Sequence, residues 1–185
     1  PFSFAGQEMR LVHHRALYWP REQALHTLST FAAAAYLWHY LRRNTMRDSH
    51  FLLICLFLTV HNIAAHWLYS NVPYDQWATS LTGHSLSEFF GWRRNHTDRL
   101  IHLLYGLCCT PAMVQHLAQQ YRITRANAFK LALLLIMATS LVYEWLEWLV
   151  AVMMSPEDAE AYNGQQGDPW DAHMDMLLAT LGALA

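Results

Sequence analysis

Charged side chains are missing from, or rare in, several long runs of this sequence. From Ala24 to Leu41 almost every residue is uncharged, and the run stops at Arg42 and Arg43. At about 1.5 Å per residue, a helical block of this size is long enough to cross a hydrocarbon core of about 30 Å. Similar blocks follow at 51–69, 97–118 and 129–154, with a shorter one at 169–185. Over half of the residues (54%) are hydrophobic and only 14% are charged, which places the chain in the membrane class. The expected fold is therefore an all-α, polytopic integral membrane helical bundle, one domain over 1–185 with about five transmembrane helices. Residues 1–23 carry Arg10, His13, His14, Arg15 and Arg21 among aromatics and read as an interfacial segment. The fifth block is short for a span, so it must be tilted, truncated or partly inserted.

The connections orient the bundle. The turns after the first and third blocks hold Arg42, Arg43, Arg122, Arg125 and Lys130, while no Lys or Arg occurs from Ser155 to Ala185. The positive-inside rule puts the basic turns in the cytoplasm, against the minority vote of Arg93 and Arg94. The other ends of the helices then share the outer-leaflet side. The loop 70–95 is polar and broken by Pro73, Gly83 and Gly91, with a short helix expected near 86–90. Eight Trp and nine Tyr suit aromatic belts at the two interfaces. A formal charge of −2 and the lack of a long basic run argue against a nucleic-acid partner, leaving membrane lipids as the expected surroundings. Cys55, Cys108 and Cys109 match neither a zinc spacing nor a disulfide framework. There is no signal-peptide pattern, and a start at Pro1 is expected of a trimmed chain.

Chemistry is concentrated where ionisable residues interrupt the blocks. Asn62, His66 and Tyr69 fall on one helical face by the three-and-four rule, which makes His66 the better ligand candidate and His61 a core histidine bonded to a neighbouring helix. Asp98 and His102 are four apart and can reach one ion, with Arg99 between them as an anion or carboxylate clamp. Glu144 and Glu147 share a face within SLVYEWLEWLV. An acidic residue at a membrane helix centre costs about 2.5–3.5 kcal/mol on insertion scales, so these two require a partner. The plain alternative is neutralisation by Arg93, Arg94 or Arg99, or a protonated glutamate.

The segment GQQGDPWDAHMDM, 164–176, packs three aspartates ahead of the last apolar block. Asp168 reads as an N-cap with Pro169 first in the helix and Asp171 third; Asp171 and Asp175 then stack on one face and repel without a cation. Capping alone would account for Asp168 and Asp171. This wording resembles the QGD-x-WD-x-Q-x-DM signature of the YjdF-like inner-membrane proteins. HNIAAHWLYSNVP (61–73), RNHTDRLIHLLYG (94–106) and YEWLEW (143–148) agree with the same family in order. Ala64 stands where the family has glycine, and His173 where it has glutamine, so His173 receives no special role. The resemblance implies a multi-pass protein of the bacterial inner (cytoplasmic) membrane and a residue set, and it assigns no reaction.

Carboxylates outnumber cations at the outer end of the expected bundle, and a divalent metal (zinc, iron or manganese) would balance them. The leading expectation is a membrane metalloprotein, a metal-dependent hydrolase or di-iron oxidase acting on a lipid or another amphiphile. His66, Asp98, His102, Glu144, Glu147, Asp171 and Asp175 are the candidate ligands. Glu144, Asp171 and Arg99 are the candidate acid–base and clamping groups, supported by Asn62, Tyr69 and Asp168. The alternatives are a proton- or ion-coupled carrier, and a non-catalytic subunit of a homo-oligomer or larger membrane complex. G-x-S-x-G, P-loop and H-E-x-x-H patterns are missing, so serine hydrolase, nucleotide and zincin readings have no support. The spaced aspartates lack the glycine and arginine that accompany them in lipid phosphotransferases.

Overall fold

The computed structural model describes residues 20–155, 159 and 163–185, with the side chains of 20–26 and 29 left aside, and the described residues form helices and no strand. The helices are α1 (Pro20–Leu41), α2 (Asp48–His66), α3 (Tyr74–Thr82), α4 (Leu86–Phe90), α5 (Thr97–Tyr121), α6 (Arg125–Met153) and α7 (Asp171–Leu184). Among them α2, α5 and α6 are long and apolar enough to cross a membrane. Each of the apolar blocks became a helix, with ends shifted by a few residues. The expected short helix appears as α4, and the segment before it, expected as loop, forms α3. The segment 1–19 and the acidic residues Glu157, Asp158 and Glu160 lie outside the described residues; 20–23 of the expected interfacial segment belong to α1.

Local chemistry sets the boundaries. Ser85 accepts a hydrogen bond from the Glu88 amide at the start of α4, in the S-x-x-E order of a capping box, and Thr124 does the same for the Asn127 amide at the start of α6. Gly83 and Gly91 end α3 and α4 at φ 78° and 67°, where a Cβ would be strained. The last helix begins at Asp171 and not at Pro169, with Trp170 as N-cap. Asp168 instead closes the preceding turn, where its Oδ1 accepts the Trp170 N–H at 2.9 Å.

The centre of the bundle is α5, which packs against α2, α6 and α7, while α1 leans on α2 and α3 pairs with α4. The buried face of α6 repeats every fourth residue: Ala128, Ala132, Ile136, Ser140 and Glu144. Its first three members join Val114, Leu117, Ala179 and Ala183 in two apolar clusters, and its last two carry polar atoms into the bundle. The outward faces suit hydrocarbon, since Leu134, Trp145, Trp148 and Val152 are each at least 60% exposed. At the basic end, Gln115 on α5 clamps the turn after α1. Its Oε1 accepts from the Arg47 amide (3.1 Å) and His50 Nδ1 (2.8 Å), and its amide nitrogen donates to Thr45 O (3.1 Å).

Candidate functional site

Two helices approach here until their backbones touch. A Cβ built on Gly106 of α5 would lie 1.9 Å from the Ala179 carbonyl oxygen, and one on Gly182 of α7 would lie 2.1 Å from that of Leu103. Small residues are what permit such contact between helices in lipid. On α5 the contact stripe runs Asp98, His102, Gly106; on α7 it runs Asp171, Asp175, Ala179, Ala183, again at spacings of four. The glycine contact therefore presses the ionisable ends of both stripes together, with Glu144 of α6 facing them.

The outermost group is an ion-pair network. Arg94, on the loop before α5, bonds Asp98 through one terminal nitrogen and Asp171 through the other, and lies 3.4 Å from Asp168. Arg99 bonds Asp168 and approaches Asp171 at 3.7 Å. The planar guanidinium fork is what lets one side chain tie α5 to α7. Burial works against the Arg94 charge, but Asp171 and Asp98 outweigh it and raise its pKa. The Trp170 amide, with help from Arg99, holds Asp168 below the usual carboxylate range. Asn95 fixes the loop: its Oδ1 accepts from the Thr97 amide and hydroxyl, its side-chain nitrogen donates to Val72 O, and its backbone exchanges hydrogen bonds with the Gln166 side chain.

One turn deeper the composition changes. His102 Nε2 lies 3.8 Å from Glu144 Oε1 and 3.8 Å from Asp175 Oδ2, and among the described residues no Lys or Arg ion pair reaches this trio. Glu144 Oε1 and Asp175 Oδ1 are buried without a hydrogen-bond partner. Unpaired buried carboxylate oxygens are costly, so such atoms call for a bound cation, a proton or water. One ligand atom from each of His102, Glu144 and Asp175 falls within 4.8 Å of the others, and the same holds for Asp98, Asp171 and Asp175. Arg94 already pairs with two members of the second set, Asp98 and Asp171, so the first is the better cation cradle. Beside it lies a cavity of about 290 Å³ between α1, α2, α5 and α6. Its lining combines polar His61, Tyr69, His102, Glu147, Asn163 and Asp175 with apolar Ala33, Phe57, Leu58 and Ile101.

Most of the residues singled out from sequence meet here: Asp98, Arg99, His102, Glu144, Glu147, Asp168, Asp171 and Asp175. His66 and Asn62 do not, since both are exposed and His66 packs edge-on against Trp67. The reason is local. Helix α2 stops at His66, and Leu68 and Tyr69 turn left-handed at φ 51° and 52°, so Tyr69 leaves the expected face and doubles back. Its hydroxyl meets His61 Nε2 at 2.9 Å, while His61 Nδ1 bonds Thr30 of α1 at 3.0 Å. His61 is thus bonded to a neighbouring helix as expected, yet it lines the cavity in the place given to His66. The central cation is Arg94 and not Arg99, and the guanidinium groups serve Asp98, Asp168 and Asp171 instead of the α6 glutamates. Arg93 is exposed. Sequence reasoning also passed over Gly106, whose spacing of four from His102 was the available signal.

The chain is 32% identical over 146 residues to the inner membrane protein YjdF of Escherichia coli (strain K12). That match takes in 77% of this chain and 65% of the relative, so the chain spans somewhat under two thirds of the relative's length. No solved structure matches. The family model described as predicted membrane protein (DUF2238) matches residues 10–185, nearly the whole chain, and the protein belongs to that family.

Proposed function

We propose that this protein is a multi-pass protein of the bacterial inner membrane that holds a divalent metal ion between His102, Glu144 and Asp175 and acts on a lipid or another amphiphile at the outer-leaflet side. In this reading α1 and α7 join the three long apolar helices to make five inserted segments. The observation that carries it is that Glu144 and Asp175 each keep a buried carboxylate oxygen without a hydrogen-bond partner, on side chains that both approach one imidazole from a third helix. One nitrogen and carboxylate oxygens suit zinc, iron or manganese. A bound ion would supply Lewis acidity to a substrate oxygen or lower the pKa of water. Glu147, on the cavity wall, is placed to take up or return a proton, and Tyr69 and His61 are placed to orient a polar head group. Arg94 and Arg99 hold Asp98, Asp168 and Asp171 as a rigid frame behind the ligands. The apolar residues of the cavity lining would receive the hydrocarbon part of the substrate.

Metal analysis of protein purified in detergent tests this reading. Close to one equivalent of a single transition metal is expected, falling sharply in His102→Ala and Asp175→Asn. Less than about a tenth of an equivalent, unchanged after reconstitution with zinc, iron or manganese, refutes it. A proton- or ion-coupled carrier is the second reading, favoured by the file of titratable groups along the cavity from Asp98 to Glu147. A Glu144→Gln protein that still binds metal but has lost ion flux in vesicles would select it.

A further inference from the structure

The α3–α4 hairpin, residues 74–92, leaves large apolar side chains on its outside and is held together by Tyr74, Asp75 and Ser87. Asp75 Oδ1 accepts the Ser87 amide at 2.9 Å, and the Tyr74 hydroxyl lies 3.4 Å from Ser87 Oγ and donates to Arg94 O at 3.5 Å. These bonds tie the two short helices to each other and to the loop before α5. What remains on the outside is Trp77, Leu81, Leu86, Phe89, Phe90 and Trp92, between 36% and 85% exposed. A patch of this kind on a soluble surface marks an interaction site. Here its position selects the partner, because the hairpin joins the end of α2 to the start of α5, two helices fit to cross the membrane, and so is held at the bilayer rim.

We infer that the α3–α4 hairpin is an interfacial anchor that beds its aromatic and leucine side chains into the head-group and upper acyl region of the leaflet on the site's side. At this depth Trp gains from burying its ring while the indole N–H stays wet, and Phe and Leu gain from burial alone. The chemical class of lipid follows from charge: 74–92 contains Asp75 and Glu88 but no Lys or Arg. The anchor therefore needs no anionic lipid, unlike the basic amphipathic helices that bind such surfaces. The inference does not depend on a metal at His102.

Spin labels on Leu81→Cys, Phe89→Cys and His84→Cys, in full-length protein in nanodiscs, test it, with labelled parent protein supplying the background from the native cysteines. Leu81, Phe89 and His84 are all exposed, so labelling leaves the packing intact. In zwitterionic phosphatidylcholine, labels at Leu81 and Phe89 are expected to collide with oxygen over a water-soluble nickel chelate at a ratio several-fold above that at His84. Adding phosphatidylglycerol should leave the ratio unchanged. Water-like ratios at Leu81 and Phe89 overturn the inference. So does exclusion of both reagents, the signature of a covering protein or second copy, and so does insertion that appears only with anionic lipid.

Discussion

Gly106→Ala should loosen the whole site through a single methyl group. The added Cβ would lie 1.9 Å from the Ala179 carbonyl oxygen and 2.7 Å from the Ala183 nitrogen, both backbone atoms that no rotamer change can move aside. Real Cβ contacts begin near 3.0 Å, so α7 must retreat from α5 by about 1.1 Å. Overpacking of this kind costs about 1–3 kcal/mol. The retreat also carries Asp175 away from His102, now 3.8 Å apart, and a shift of about 1 Å would be ruinous for the ligand set proposed above. Unfolding in SDS-titrated mixed micelles should show the loss of stability, and metal binding should weaken in parallel. Leu177→Ala, on the exposed side of the same helix, is the control and should stay within about 0.5 kcal/mol of the parent. A Gly106→Ala protein with parental stability and parental metal content would refute the packing argument.

The remaining predictions concern the ion pairs and the loops. Arg94→Ala leaves Asp98 and Asp171 buried without their main cation and should cost about 3–5 kcal/mol in the same unfolding assay; Arg94→Lys keeps the charge but cannot bridge two carboxylates, so it should recover only part of the loss. Burial pulls the Asp75 pKa up, but hydrogen bonds from Ser87, Ser85 and the Leu86 backbone outweigh it and hold it below its ordinary 3.8. A depressed folded value means that the hairpin's lock is complete above about pH 4 and is lost as pH falls through that lower value. Exchange of the Ser87 amide should therefore accelerate in acid relative to Asp75→Asn. Burial first, then Arg99 and Arg94, lowers the His96 pKa from 6.5, so its neutral form is the one that folding favours. Stability should be full above about pH 6.5 and fall as pH drops toward the lowered value, and His96→Gln should flatten that slope.

What the sequence made visible was whatever repeats within one helix. Asp98 with His102, and Asp171 with Asp175, are pairs at spacing four that held their faces, and the long apolar blocks became helices because burial of backbone polar groups leaves a membrane segment little else to form. What it concealed depended on chain reversals. The left-handed turn at Leu68 and Tyr69 has no glycine to announce it, so Tyr69 was placed on the wrong face and His61 was undervalued. Arg94 lies outside every apolar block, and its role exists only because the Asn95 and Gln166 bonds fold its loop over the start of α7. The helix start read at Pro169 failed by two residues because Asp168 satisfies the turn before the helix and not the helix itself.

The fourfold repeat along α6 divides that helix into two stretches with different duties. On one it offers Ala128, Ala132 and Ile136, none of them exposed by as much as 1%. On the other it offers Ser140 and Glu144, each with a buried side-chain oxygen that has no hydrogen-bond partner. Mechanical load and chemical load are thus borne by separate lengths of one rod, and an alteration in the first can weaken the assembly without touching a polar atom of the second.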